Sequence, residues 1–274
     1  YASELDKTIP LTEESSTAEN ATDRSVLIIE DNPELRNFLA DRLRTTYEIL
    51  QADNGITAVQ QAFNNVPDLI ISDVILPGKD GITITNILKN DIRTSHIPII
   101  LLTAKIEVEE QIEGMKSMAD AYILKPFNLQ LLEETIKSVM KNRDLLRGHY
   151  TSEISTDAIA QNPRRLDRKF INEFTSIVES NLSNENFSID DLFKQMGISR
   201  VQLYRKVKAL LDCNVNDYIL NVRIRKSKYL LSQDELTVAE IAYKVGFASP
   251  AYFATVFKSK MGFTPTEYRN KKIK

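Results

Sequence analysis

Five side chains in the first half of the chain carry complementary chemistry: Glu30, Asp31, Asp73, Thr103 and Lys125. Three acids brought together repel and raise one another's pKa unless a cation intervenes, and hard oxygen donors of this kind select Mg²⁺. An acid beside a bound metal and an ammonium is arranged for phosphoryl transfer. Asp73 would attack phosphorus, the metal and Lys125 would neutralise the phosphoryl oxygens, and Thr103 would donate a hydrogen bond to them. A lone strand-end Asp followed by Pro and Gly, as Asp73 is by Pro77-Gly78, usually does no more than open a turn. The five residue types at the ends of successive apolar runs point to a site instead.

What must position them is a parallel sheet. From Val26 a strand-then-helix pattern recurs five times, the signature of an α/β doubly wound fold. The strands fall at 26–30, 48–52, 69–73, 97–103 and 121–124, with helices near 34–45, 55–64, 81–91, 107–116 and 128–142. Pro33 and Gly55 fit helix starts. Leu69-Ile70-Ile71 lacks polar alternation, as a strand covered by helices on both faces does, and such sheets bind ligands at the carboxyl ends of their strands. The five chemical side chains therefore share one edge.

With 274 residues, 42 % of them hydrophobic, the chain can fill two cores. Residues 1–24, rich in Ser, Thr and Glu, read as a disordered linker, and the opening Tyr leads us to expect a fragment of a larger protein. One cysteine, Cys213, and two histidines exclude a disulfide framework and a His-rich metal site. No apolar run approaches the ~20 residues that cross a bilayer, and no signal segment opens the chain, so the expectation is a cytoplasmic protein without membrane contact. Residues 1–163 carry 15 Lys and Arg against 26 Asp and Glu (−11), whereas residues 164–274 carry 20 against 12 (+8). A basic half joined to an acidic half points to a polyanion partner, with double-stranded DNA the commonest.

The basic half repeats itself. Residues 189–199 and 238–249 each give an amphipathic helix, a Gly turn (Gly197, Gly246) and a Ser (Ser199, Ser249) able to cap the helix that follows. Beyond each Ser the spacing recurs, with Leu203, Val207 and Lys208 matched by Phe253, Phe257 and Lys258. Two helix-turn-helix units so spaced could set two helices in successive major-groove turns of DNA, roughly 34 Å apart. Acidic second helices would favour a plain bundle. Instead Arg200, Arg205, Lys206 and Lys208 crowd the first of them, and Arg223, Arg225, Lys226 and Lys228 the helix between the units.

Residues 25–143 resemble the response-regulator receiver family, a flavodoxin-like five-stranded fold. The motifs are Ile29-Glu-Asp31, Ser72-Asp-Val-Ile-Leu-Pro-Gly-Lys-Asp-Gly81, Leu102-Thr-Ala-Lys105 and Ala121-Tyr-Ile-Leu-Lys-Pro126. The resemblance implies that Asp73 accepts a phosphoryl group from a kinase histidine and that Glu30, Asp31, Asp73 and the Ile75 carbonyl hold Mg²⁺. It further implies that Lys125 pairs with the phosphate, Thr103 closes on it, Tyr122 is an aromatic switch, and Lys125–Pro126 is cis. Glu30 stands where many members have Asp, and Met118 where a Gly commonly precedes the Ala-Asp pair.

Residues 166–274 resemble the AraC-type DNA-binding domain, an all-α unit, and 144–165 read as an interdomain linker. The motifs are Ser199-Arg-Val-Gln-Leu-Tyr-Arg-Lys-Val-Lys208, the run from Glu240 to Phe253, and Gly262-Phe-Thr-Pro-Thr-Glu-Tyr-Arg269. The resemblance implies base contacts from Val201, Gln202 and Arg205, with Pro250, Ala251 and Thr255 in the equivalent places. Ser199, Ser249 and Lys258 are assigned to phosphate, and Arg200 and Lys206 join the DNA-facing set. Thr255 stands where many members carry Arg and Phe193 where a small residue is usual, so most direct readout falls on Gln202 and Arg205.

The order of the two domains resembles the tail of hybrid two-component sensors, in which kinase, receiver and regulator share one chain. The reading is a response regulator whose phosphorylation controls sequence-specific DNA binding and transcription. It is a self-phosphorylating acceptor and not a conventional enzyme; a hybrid parent would be a histidine kinase, with the inner membrane as an anchor open to it. Expected partners are a histidine kinase domain, double-stranded DNA, RNA polymerase, and a second copy once phosphorylated. That homodimer would form through the fourth helix, fifth strand and fifth helix. An aspartyl-phosphate phosphatase would need a second Asp where Ile75 stands, and a receiver kept only for dimerisation would not need Asp73, Thr103 and Lys125.

Overall fold

The computed structural model describes residues 24–104, 118–152, 164–184, 187–233 and 235–272. Ser25–Ile29 (β1), Glu48–Ala52 (β2), Leu69–Asp73 (β3), Ile99–Thr103 (β4) and Ala121–Leu124 (β5) form one parallel sheet in the order β2-β1-β3-β4-β5. β1, β3 and β4 are buried along their whole length, which is why they lack polar alternation. Val26, Ile28, Leu69, Ile71, Ile100 and Leu102 share one core with α1 (Pro33–Leu43) and α4 (Leu129–Ser152). The alternate residues Leu27, Ile29, Ile70, Ile99 and Leu101 share another with α2 (Gly55–Asn65) and α3 (Gly81–Lys89).

Among the boundaries that differ from expectation by one residue or more, three stand out. β4 begins at Ile99, two residues late, because Pro98 has no N–H for the ladder. β1 ends at Ile29, yet Glu30 keeps a ladder bond from its N–H to the Ala52 carbonyl (3.1 Å). The helix expected over 128–142 runs on to Ser152, into the stretch expected as linker. The only breaker in that extension is Gly148, and a single helical Gly costs about 1 kcal/mol, too little to stop a helix anchored by Leu132, Ile136 and Met140. Lys105, the helix expected near 107–116 and residues 1–23 of the linker expected over 1–24 lie outside the described residues.

Met118 has φ +57°, the left-handed region in which a Cβ is strained, and this accounts for the Gly expected at its position. Met118→Gly is expected to stabilise the chain by about 0.5–1 kcal/mol, the relief of strain less the entropy a Gly loses on folding. A urea unfolding midpoint that falls would refute this.

The second half is helical: α5 (Arg164–Ser180), α6 (Ile189–Met196), α7 (Arg200–Leu211), α8 (Val215–Leu231), α9 (Val238–Lys244), α10 (Pro250–Met261) and α11 (Pro265–Lys272). Phe170, Phe174, Leu192, Leu203, Val207 and Val222 fill a first core, and Ile241, Phe247, Phe253 and Phe257 a second. α8 spans both, giving Val222 to the first and Ile224 and Leu231 to the second. Ser199 and Ser249 cap α7 and α10, accepting the N–H of Gln202 and of Tyr252. No described helix is long and apolar enough to cross a membrane.

Candidate functional site

Strand register assembles the first site. Ile29 pairs with Ser72, Asp73 with Leu102 and Thr103 with Leu124, so Glu30, Asp73, Thr103 and Lys125 emerge at one level on neighbouring strands. Lys125 Nζ donates to Glu30 Oε2 (2.7 Å) and to Asp73 Oδ2 (2.8 Å). The Ile75 N–H donates to Asp73 Oδ1 at 3.3 Å, and the Asn32 N–H to Glu30 Oε1 at 3.4 Å. The Lys125 N–H donates to the Thr103 carbonyl (2.6 Å), and Lys125–Pro126 is cis.

Glu30 is 2 % exposed and Asp73 9 %, while Asp31 is open to solvent. Burial raises the Glu30 pKa above the ordinary carboxylate value, and the Lys125 ammonium offsets part of that. Burial pulls Lys125 down, but its hydrogen bonds to Asp73 and Glu30 outweigh it and leave the ammonium above its usual pKa. One carboxylate oxygen from each of Glu30, Asp31 and Asp73 lies within 4.8 Å of the others. Three carboxylates against one ammonium leave a charge of about −2, which suits one divalent cation with oxygen ligands. Thr103 is buried in the same layer. Tyr122 sits on β5 and is exposed, as are Leu124 on the same strand and Leu131 on α4.

The residues expected to face DNA lie on α7 and α10, and the two helices differ. On α10, Ala251, Thr255 and Lys258 are exposed, and the Thr255 hydroxyl bonds back to the Ala251 carbonyl (3.1 Å). On α7, Arg200, Val201 and Lys208 are exposed, but Gln202 is 8 % and Lys206 0 % exposed. Gln202 Oε1 accepts the Ser199 N–H (2.9 Å), and its Nε2 donates to the Phe63 carbonyl of α2 (2.8 Å). Arg205 Nη1 donates to Ser25 Oγ (2.9 Å) and the Val66 carbonyl (3.3 Å). Lys206 Nζ donates to Asp167 Oδ1 (2.7 Å) and Ser95 Oγ (3.0 Å) and lies over the Phe170 ring. Burial lowers its pKa, offset by Asp167. In this arrangement Lys206 is not available to a phosphate, and both ends of the Gln202 carboxamide are engaged.

Sequence spacing gives no sign of Ser25, Phe63, Val66, Ser95 or Asp167, because these contacts join distant parts of the chain. The burial of Lys206 does have a sign. The repeat that matches Leu203 to Phe253 matches Lys206 to Val256, which is buried in the second core.

The family model for a response regulator receiver domain matches residues 26–137, and that for a helix-turn-helix domain matches residues 192–271. Histidine kinase P4 of Formosa agariphila is 35 % identical over 268 residues, 97 % of this chain and 20 % of that protein. The phosphate regulon transcriptional regulatory protein PhoB of Pseudomonas aeruginosa is 40 % identical over 119 residues, 43 % of this chain and 52 % of that protein. The chain thus spans a fifth of one curated relative and about half of the other. The solved signal receiver domain of a signal transduction histidine kinase from Syntrophus aciditrophicus is 29 % identical and covers 51 % of this chain and 98 % of that one, at a TM-score of 0.42. The carboxylate-lined sheet edge and the paired Ser-capped helices thus belong to a response regulator receiver domain followed, on the same chain, by an AraC-type helix-turn-helix domain.

Proposed function

We propose that this chain is the phosphoryl-accepting and DNA-binding part of a two-component regulator, with Asp73 the sole acceptor. The observation that carries this reading is the Lys125 ammonium held between Asp73 and Glu30 at the strand ends. An Asp73 oxygen attacks the phosphorus of a kinase phosphohistidine. The P–O bond forms as the P–N bond breaks, and the imidazole nitrogen leaves with the electron pair. Lys125 then turns its ammonium to one phosphoryl oxygen, and the Thr103 hydroxyl donates to another. Glu30, Asp31, Asp73 and the Ile75 carbonyl would hold Mg²⁺, which when bound neutralises the phosphoryl oxygens. Incubation with phosphoramidate and Mg²⁺ is expected to add one acid-labile, hydroxylamine-sensitive phosphate, absent from Asp73→Asn. Label persisting in that variant would overturn the assignment.

The DNA-facing residues are Ser199, Arg200, Gln202 and Arg205 of the first unit and Ser249, Thr255 and Lys258 of the second; Lys206, expected among them, is taken up by Asp167 and Phe170 inside the helical core and is dropped from the set. Double-stranded DNA is the ligand, with RNA polymerase and a histidine kinase domain as protein partners and the cytoplasm as the place of work. Phosphorylated copies pair through β5 and α4, where Tyr122, Leu124 and Leu131 expose apolar surface. Sedimentation of the chain with beryllofluoride as phosphoryl mimic is expected to show a dimer. A mass that stays monomeric under the mimic removes the pairing.

A further inference from the structure

The internal repeat supplies a built-in comparison between the two helix-turn-helix units. Tyr252, Thr255 and Ser259 of α10 are exposed, whereas their counterparts Gln202, Arg205 and Ala209 of α7 are buried or half-buried. Both helices turn the same apolar residues to their own cores, Leu203 and Val207 in one and Phe253 and Phe257 in the other. The extra cover on α7 therefore comes from outside its unit. α7 lies against α2 and α4 of the receiver domain, and Ile92, just past α3, packs onto the first helical core.

The polar contacts are as specific as the apolar ones. The last turn of α2 presents two carbonyls, Phe63 to the Gln202 amide and Val66 to the Arg205 guanidinium. Carbonyls at a helix C-terminus lack intrahelical donors and carry the negative end of the helix dipole, so cationic and amide donors satisfy them. Val66 caps that turn in the left-handed region (φ +45°). Ser25 at the start of β1 adds a hydroxyl to Arg205, and Ser95 before β4 adds one to Lys206. All these receiver groups lie at the amino-terminal end of the sheet, opposite the carboxylate cluster.

We propose that this end of the receiver domain is an intramolecular docking surface for α7, which competes with double-stranded DNA for Gln202 and Arg205 in the chain that carries no phosphate. The proposal rests on the DNA-binding reading above and adds how its first unit is withheld. Docked, Gln202 has no free carboxamide edge for a base, and the Arg205 guanidinium is engaged by the receiver. The second unit stays open, so a duplex can reach it first, and gripping DNA with both units requires α7 to leave the receiver.

The test uses the full unphosphorylated chain and a labelled duplex recovered from a random-sequence pool. Ile92→Arg sets a cation against the apolar seam between the receiver and the first helical core, to which α7 belongs, and is expected to tighten duplex binding about tenfold or more by removing the competitor. It is also expected to speed amide exchange over residues 200–211 and 63–66. Wild-type affinity with unchanged exchange in a folded Ile92→Arg chain overturns the proposal. A second arm needs no variant: saturating wild-type chain with the duplex is expected to speed exchange over residues 63–66, which DNA does not touch. Exchange there that stays as slow with DNA bound also overturns it. Should exchange show the dock opening in Ile92→Arg while the pool yields no duplex, the docking surface stands and the DNA-binding reading falls.

Discussion

Lys125→Ala is expected to cost the receiver domain about 3 kcal/mol in the presence of a chelator, because removing one partner leaves a buried carboxylate pair without its cation. Burial already raises the Glu30 pKa, and the Lys125 ammonium is the main group that offsets part of that rise. Without Lys125 the folded chain binds the Glu30 proton more tightly than the unfolded chain does. Stability of the variant then rises as pH falls through the raised folded pKa toward the ordinary carboxylate value of the unfolded chain. Mg²⁺ is expected to recover part of the loss, since the assembled cluster exists only in the native state. Phosphoryl uptake stays down about 100-fold or more even so, because the transferring oxygens lose a preorganised positive charge. Urea unfolding with chelator and with Mg²⁺, at neutral and at mildly acid pH, checks this. A variant as stable as wild type in chelator at neutral pH would show that the two carboxylates do not depend on Lys125.

The second large effect lies at the turn of the second helix-turn-helix unit. Gly246 has φ +84°, and a Cβ there would run into the Leu182 carbonyl and press on the Arg223 guanidinium. Gly246→Ala is expected to cost about 3 kcal/mol or more, the left-handed strain plus displacement of backbone. Gly197 occupies the matching turn of the first unit with φ +64°, but a Cβ there meets nothing within 4 Å. Gly197→Ala therefore loses only the strain, about 1–2 kcal/mol. Equal shifts of the urea midpoint in the two variants would mean that Leu182 yields to the methyl group.

The carboxylate cluster was legible because period and topology place it. An unbroken apolar run marks a covered strand, and in a doubly wound sheet the ends of such strands meet, so Glu30, Asp73 and Lys125 could be brought together from spacing alone. The end of α4 was not legible, since nothing but Gly148 interrupts its residues beyond 143. The docking surface was less legible still. Phe63 and Val66 contribute main-chain carbonyls, which no residue type announces. Lys206 read as one more cation on a DNA-facing helix because helical charge usually faces water. Its burial depends on Asp167, which α5 carries across to it.

Arg205 is held by Ser25 and Val66 through the same guanidinium that is proposed to read a base. Natural selection then cannot tune one of these uses without disturbing the other: a substitution that frees the helix also alters its message. The receiver side of the contact carries no such conflict, because neither Ser25 nor Ile92 is proposed to touch a base. Heritable changes that make such a regulator act without its stimulus thus have a smaller evolutionary cost in the receiver domain than in the domain that meets the genome.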